Sequence, residues 1–333
     1  MPRTAKLPHM KTPQRIVSLI SSATEILYLL GLDERVVGVS HECDYPGQAA
    51  GKPRLTRSLV EATATSRAID EQVRSFAANQ TALYSIDVER LAELAPELII
   101  TQAQCDVCAV RYEDVVSAVR ATPALAGAEI LALDPRSLAD VLDDITRIGQ
   151  ATGADRAAAS ARASLEARAR TIRTRSASWP REERCRVACL EWIDPPMLAA
   201  NWMPNMIRWA GGEPGNTRAG EHSSYANWEQ IVADDPQVIV VMPCGFDLQR
   251  AIVESQVLAS KPGWETLSAV RDRRVFAVDG NAYFNRSGPR LVDSLEILAH
   301  LFHPRAFGPP VAAPRQVWCR LETRDGSLIP ESP

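Results

Sequence analysis

The stretch from Arg15 to Pro46 constrains the fold more than any other, because strand, helix, strand and polar loop follow one another within about one βαβ unit. Ile16 to Ile20 is a short apolar run suited to a buried parallel strand. Ser21, Ser22 and Thr24 offer hydroxyls to cap the next helix, and Glu25 stands three residues after Ser22, as in a capping box, so a helix is predicted from near Ala23. Ile26, Leu27, Leu29 and Leu30 give it an apolar face, Gly31 stops it, and Arg35 to Val39 reads as the second strand. A polar loop, Ser40-His41-Glu42-Cys43-Asp44-Tyr45, then runs into Pro46. Ligands of open parallel sheets sit outside the carboxyl ends of the strands, which places this loop where chemistry is expected; an ordinary surface turn is the plain alternative.

A chain of 333 residues is long for one core and implies two domains. The formal charge of −4 and pI near 5.8 argue against a nucleic-acid partner, which needs a concentrated basic face. Arginines between Arg156 and Arg186 alternate with Ala and Glu and read as one solvated helix face. Met1 to Gln14 is basic and polar without the apolar run of a secretory signal, and no stretch approaches the ~20 apolar residues of a membrane span. The expectation is therefore a cytoplasmic monomer without membrane insertion, or a periplasmic or extracellular protein if a signal has been removed. Seven cysteines, at 43, 105, 108, 185, 189, 244 and 319, lack the density of a disulfide scaffold, so free thiols are expected.

The grammar of the first half recurs in the second. Val88 to Leu94, Ala95-Pro96 and Leu98-Ile99-Ile100 (helix, proline, apolar strand) reappear as Trp228 to Asp235, Pro236 and Val238 to Val241. Arg186 to Trp192 reads as a strand, Asn205 to Ala210 as a helix and Gly211-Gly212 as its stop. Between the halves, Ser137 to Ser178 is rich in Ala, Arg, Glu and Leu and predicts a long helix, broken near Ala151-Thr152-Gly153. The expected class is α/β, two Rossmann-like lobes with parallel sheets joined by a long connecting helix. The divisions are an N-terminal lobe over 14–135, a connector over 136–180, a C-terminal lobe over 181–308 and a proline-rich tail over 309–333 that packs loosely.

Two such lobes, with Thr24-Glu25-Ile26 in the first unit, Asp44-Tyr45-Pro46 after the second strand and Leu94-Ala95-Pro96-Glu97-Leu98-Ile99-Ile100 before the loop at Thr101, resemble the helical-backbone substrate-binding proteins of metal-chelate ABC importers, and most of all their cobalamin-binding members. The likeness covers about Arg15 to Phe302. It implies a non-catalytic carrier or importer component that holds cobalamin or another corrinoid between the lobes, with an importer permease as partner. Tyr45 matches the family tyrosine that packs on the corrin. The loop from Gln102 to Val110 occupies the place of a family loop with an aromatic residue, but offers Gln102, Gln104, Cys105, Asp106 and Cys108 instead. Glu221 to Tyr225 occupies the place of a segment that presents a tryptophan, and Asn281 to Arg290, with Tyr283 and Arg286, is similar to the last cleft loop. Glu213 looks like the acid with which such proteins dock on importer arginines.

Broad, flat, partly apolar rings suit aromatic faces around a few convergent polar groups, and Tyr45, Trp192, Trp202, Tyr225 and Tyr283 are candidates for those faces. His41, Cys43, Cys105, Cys108 and Cys244 all follow predicted strands. Cys105 and Cys108 have the spacing to grip one tetrahedral ion, and His41 with Cys43 could complete a zinc or iron–sulfur site. His41 is equally the best axial donor to cobalt, and the two spaced thiols could act as a redox pair. An iron-siderophore or haem carrier, or a metal- or thiol-dependent enzyme centred on His41, Cys43, Cys105 and Cys108, are the alternative readings. No nucleophile elbow, phosphate loop or dinucleotide fingerprint occurs in the chain, so no enzyme activity is expected.

Overall fold

The computed structural model describes residues 12–331 apart from 80, 106, 108 and 311–316. The first lobe contains β1 (Ile16–Ser18), α1 (Ser21–Leu29), β2 (Val36–Val39), β3 (Thr56–Ser58), α2 (Ser66–Ala78), β4 (Tyr84–Ile86), α3 (Val88–Glu93), β5 (Leu98–Gln102), α4 (Tyr112–Ala121) and β6 (Glu129–Leu133). Four of its strands form a parallel sheet in the order β2-β1-β5-β6, and β3 and β4 form a separate antiparallel pair. β1 and β5 are buried along their whole length, as central parallel strands must be when helices cover both faces.

The connector is two helices, α5 (Leu138–Thr152) and α6 (Asp155–Ala177), broken at the expected place. Ser137 caps α5 in a reciprocal box: its Oγ accepts from the Asp140 N–H at 3.2 Å, and Asp140 Oδ2 accepts from the Ser137 N–H at 2.9 Å. Gly153, at φ +69°, takes the left-handed C-cap. α5 lies against α1 and α6 against α7 (Met203–Trp209) and α12 (Leu291–Phe302). One continuous apolar cluster therefore runs from Ile16 and Ile26 through Ile145 and Ile172 to Met206 and Phe302.

The second lobe adds β7 (Cys185–Trp192), β8 (Met197–Leu198), β9 (Gly212–Pro214), β10 (Ser224–Tyr225), α8 (Trp228–Asp234), β11 (Val238–Val241), α9 (Leu248–Glu254), the short α10 (Gln256–Ala259) and α11 (Ser268–Arg271), β12 (Val275–Val278), β13 (Trp318–Arg324) and β14 (Ser327–Glu331). Its sheet runs β10-β8-β7-β11-β12-β13-β14 with β9 also beside β7. The centre, β9-β7-β11-β12, is parallel, but the β7–β8, β8–β10, β12–β13 and β13–β14 pairs are antiparallel, so this sheet is mixed where a parallel one was expected.

The loosely packed tail is also corrected. β13 zips onto β12, and Trp318, Cys319, Leu321 and Leu328 are buried. α1 departs from its expected start as well: it begins at Ser21, no side chain caps it, and Glu25 is turned toward the other lobe. No helix among the described residues is long and apolar enough to cross a membrane.

Candidate functional site

The carboxyl ends of β1, β2 and β5 face those of β7, β11 and β12, as the contacts between the loops that follow them show. These contacts form two seams. In the first, the Arg286 guanidinium donates to both oxygens of Asp44, at 2.5 and 3.0 Å, and Asn281 Nδ2 donates to Asp44 at 3.1 Å. Arg290 donates to both oxygens of Glu25, at 3.0 and 2.7 Å, and its guanidinium lies 4.0 Å from the centre of the Tyr45 ring.

Electrostatics differ between the two acids. Burial pushes the Glu25 carboxyl up despite Arg290 and Arg286. Burial also opposes ionisation of Asp44, but hydrogen bonds and charge from Arg286 outweigh it and hold that carboxyl below its ordinary value.

The second seam joins α2 to the end of β7, to β10 and to α9. The Tyr225 hydroxyl donates to Asp70 at 2.5 Å, with Arg74 over its ring at 4.6 Å and paired to Asp70 at 2.9 Å. Arg67 reaches Asp194 at 2.8 Å, Trp192 Nε1 donates to the Ser66 carbonyl at 3.2 Å, and the Ser66 N–H donates to Glu254 at 2.9 Å. Arg250 donates to the carbonyls of Ala62 and Ala64, and its guanidinium covers the Phe246 ring. The two rims oppose each other and touch.

Between the seams lie the loop side chains of both sheets. His41 Nδ1 is 2.7 Å from the Thr56 hydroxyl, Nε2 is 3.1 Å from Glu42, and the ring packs on Tyr84. The hydrogen bond from His41 holds the Glu42 carboxyl below its ordinary value against the effect of burial. Opposite, Glu191 accepts from the Ser223 hydroxyl at 2.7 Å and lies near Cys105 of the first lobe, and Cys244 lies near Glu191, Glu42 and Cys105. Gln102 braces the loop after β5: its side-chain oxygen accepts from the N–H groups of Gln104 and Cys105, and Nε2 donates to the carbonyls of Cys105 and Val110.

Several expected roles do not survive this geometry. Cys43 is fully buried, its sulfur accepts from Thr24 Oγ1 at 3.0 Å, and burial pushes its thiol up, so it faces the core as a protonated thiol. Among the described residues no group of three or more His, Cys, Asp or Glu is placed to hold a metal; Asp106 and Cys108, the latter one of the four expected ligands with His41, Cys43 and Cys105, lie outside the described residues. Tyr283 is only 6% exposed and packs with the apolar core, its ring centre 5.3 Å from the Arg290 guanidinium. Trp202 is likewise buried, its Nε1 donating to the Phe284 carbonyl.

Tyr45, Trp192, Tyr225 and Arg286 do meet at the rims. Glu213 pairs in register with Arg186 at the start of β7, some 20 Å along the strand from its rim end at about 3.3 Å per residue. It lines a cavity of about 250 Å³ with Arg181, Arg186 and Asp234. The residues missed in the sequence are Glu25, Asp70, Arg67, Glu191, Arg250 and Glu254. Of these, Glu191 alone carried a legible signal, a carboxylate at the end of an apolar strand.

Two α/β lobes with opposed loop rims, joined by a long helical connector, define the class of two-lobed solute-binding proteins. The chain belongs to the periplasmic binding protein family, whose model matches residues 16–282. It is 26% identical over 309 residues to an uncharacterised ABC transporter substrate-binding lipoprotein of Bacillus subtilis, covering 89% of this chain and 82% of that protein. It is 26% identical over 289 residues to a vitamin B12-binding protein of Vibrio cholerae, covering 85% and 87%.

Among solved structures, a periplasmic vitamin B12-binding protein of Vibrio cholerae superposes with TM-score 0.64 at 23% identity, covering 88% of this chain and 98% of that one. A periplasmic haem-binding protein of Pseudomonas aeruginosa superposes with TM-score 0.69 at 20% identity, covering 94% and 99%. These relatives are periplasmic or lipoproteins, so nothing in them supports the cytoplasmic expectation. Members of such families are the substrate-binding, non-catalytic components of importers.

Proposed function

We propose that this protein is the substrate-binding component of an ABC importer, that it works outside the cytoplasmic membrane, and that its ligand is a corrinoid such as cobalamin held between the rims without chemical change. The observation that carries this reading is the opposition of the two strand-end rims. Tyr45 and Arg290 lie at one seam, Trp192 and Tyr225 at the other, and Cys105 and Glu191 come near each other across the two lobes.

The vitamin B12-binding relatives add support, and haem or an iron chelate is the competing ligand that haem-binding neighbours suggest. Delivery to an importer permease follows from the same role.

Mixing pure protein with cyanocobalamin and passing it through gel filtration tests the reading. Co-elution of the corrin absorbance with the protein is expected. Free elution of all the corrinoid, with haemin co-eluting instead, would replace corrinoid by haem.

A further inference from the structure

The charge around the middle of the cleft is one-sided. Glu191 ends β7 and comes close to Cys105 of the opposite lobe. Its hydrogen bond is from the Ser223 hydroxyl, which is itself fixed by accepting from the Ala200 N–H at 2.9 Å. Among the described residues Glu191 is near the Ser223 hydroxyl and the Cys105 thiol and pairs with no guanidinium or ammonium. Its neighbour Cys244 adds a second thiol and senses Glu42 and, more weakly, Arg286.

The cations at the seams are already committed. Arg286 is spent on Asp44, Arg290 on Glu25, Arg67 and Lys261 on Asp194, Arg74 on Asp70, and Arg250 on two backbone carbonyls. A carboxylate-edged ligand entering here meets an acid with no counter-ion, and two carboxyls in one desolvated site cannot both ionise cheaply. An amide-edged ligand meets a group that donates to a carbonyl when protonated. Burial first, and then the Cys105 thiol, push the Glu191 carboxyl up to about 7, with Ser223 opposing.

We infer that Glu191, steadied by Ser223, makes the cleft select metal macrocycles with uncharged, amide-bearing edges and reject those with carboxylate edges. The inference rests on the macrocycle reading given above and sharpens it. A macrocycle seated on Glu191 keeps water from it and favours its neutral form, so affinity for an amide-edged ligand falls as pH rises through about 7.

The test compares cyanocobalamin, haemin and haemin amidated at both propionates on the wild-type protein at pH 6 and pH 8, and then on Glu191→Gln. Expected results are cyanocobalamin at least tenfold tighter than haemin, amidated haemin recovering several-fold over haemin, and cyanocobalamin several-fold weaker at pH 8 than at pH 6. In Glu191→Gln the pH dependence should flatten and the gap between haemin and its amide should narrow. Haemin bound as tightly as cyanocobalamin by the wild-type protein, or a gap unchanged in Glu191→Gln, overturns the inference while leaving a macrocycle carrier in place. If the wild-type protein binds none of the three, the cleft reading fails and the inference falls with it.

Discussion

Arg286 shows how much one side chain does at the rims. Its side chain is only 8% exposed, it holds Asp44 in a two-pronged contact, and it stands 3.8 Å from Glu25. Without it, Glu25 and Asp44 would face each other with one cation, Arg290, between them. Asp44 is half exposed and Glu25 keeps Arg290, so Arg286→Ala is expected to cost about 1–2 kcal/mol of unfolding free energy, read as a lower denaturant midpoint. A loss near zero would mean the seam does not hold in solution. Glu25 also explains a misreading: its place three residues after Ser22 reads as a capping box, but the distant Arg290 offers a charge-assisted contact that the helix start cannot match. Such a partner, 265 residues away, leaves no local trace in the sequence.

Elements were legible where their signals were local. The β1-α1-β2 unit, the Pro96 and Pro236 boundaries and the break at Gly153 follow from apolar runs, prolines and one glycine, and all stand in the structure. The terminal hairpin had a signal that went unused. Asp325 and Gly326 sit at φ +50° and +74°, as a two-residue Asp-Gly hairpin turn requires, between two strands paired in antiparallel register. The seams were illegible for a different reason, since their partners are far apart in sequence and unremarkable in type.

The packing of α5 on α6 gives a sharp prediction at this scale. A Cβ at Gly149 would stand 2.4 Å from the Ala158 Cβ, so Gly149→Ala must push the two helices apart. The expected cost is about 1–3 kcal/mol, and adding Ala158→Gly should restore most of it. Equal stability of Gly149→Ala and wild type would show that the helices do not pack so closely.

The whole molecule couples these parts through charge. Burial raises Glu191 to about 7 and Asp144, on α5 beside Arg147, to about 6. The folded chain therefore holds more protons than the unfolded one between the ordinary carboxylate range and about pH 7, and this contribution to stability falls as pH rises through that window. Asp44 works the other way: its stabilisation is present above the ordinary aspartate value and is lost as pH falls through its depressed one. Unfolding free energy should peak near pH 5 and decline by on the order of 2 kcal/mol toward pH 8, with a flatter profile in Asp144→Asn. A steady rise from pH 5 to pH 8 would contradict this balance.

The same coupling frames ligand capture, because α6 ties both lobes into one core while the seams alone keep the rims together. Calorimetric titration of the wild-type protein with cyanocobalamin at pH 6 tests the cleft most directly. The account predicts one corrinoid per chain, a Kd of about 1 μM or tighter and a negative heat-capacity change from apolar burial; no heat of binding and no retained corrinoid would contradict it.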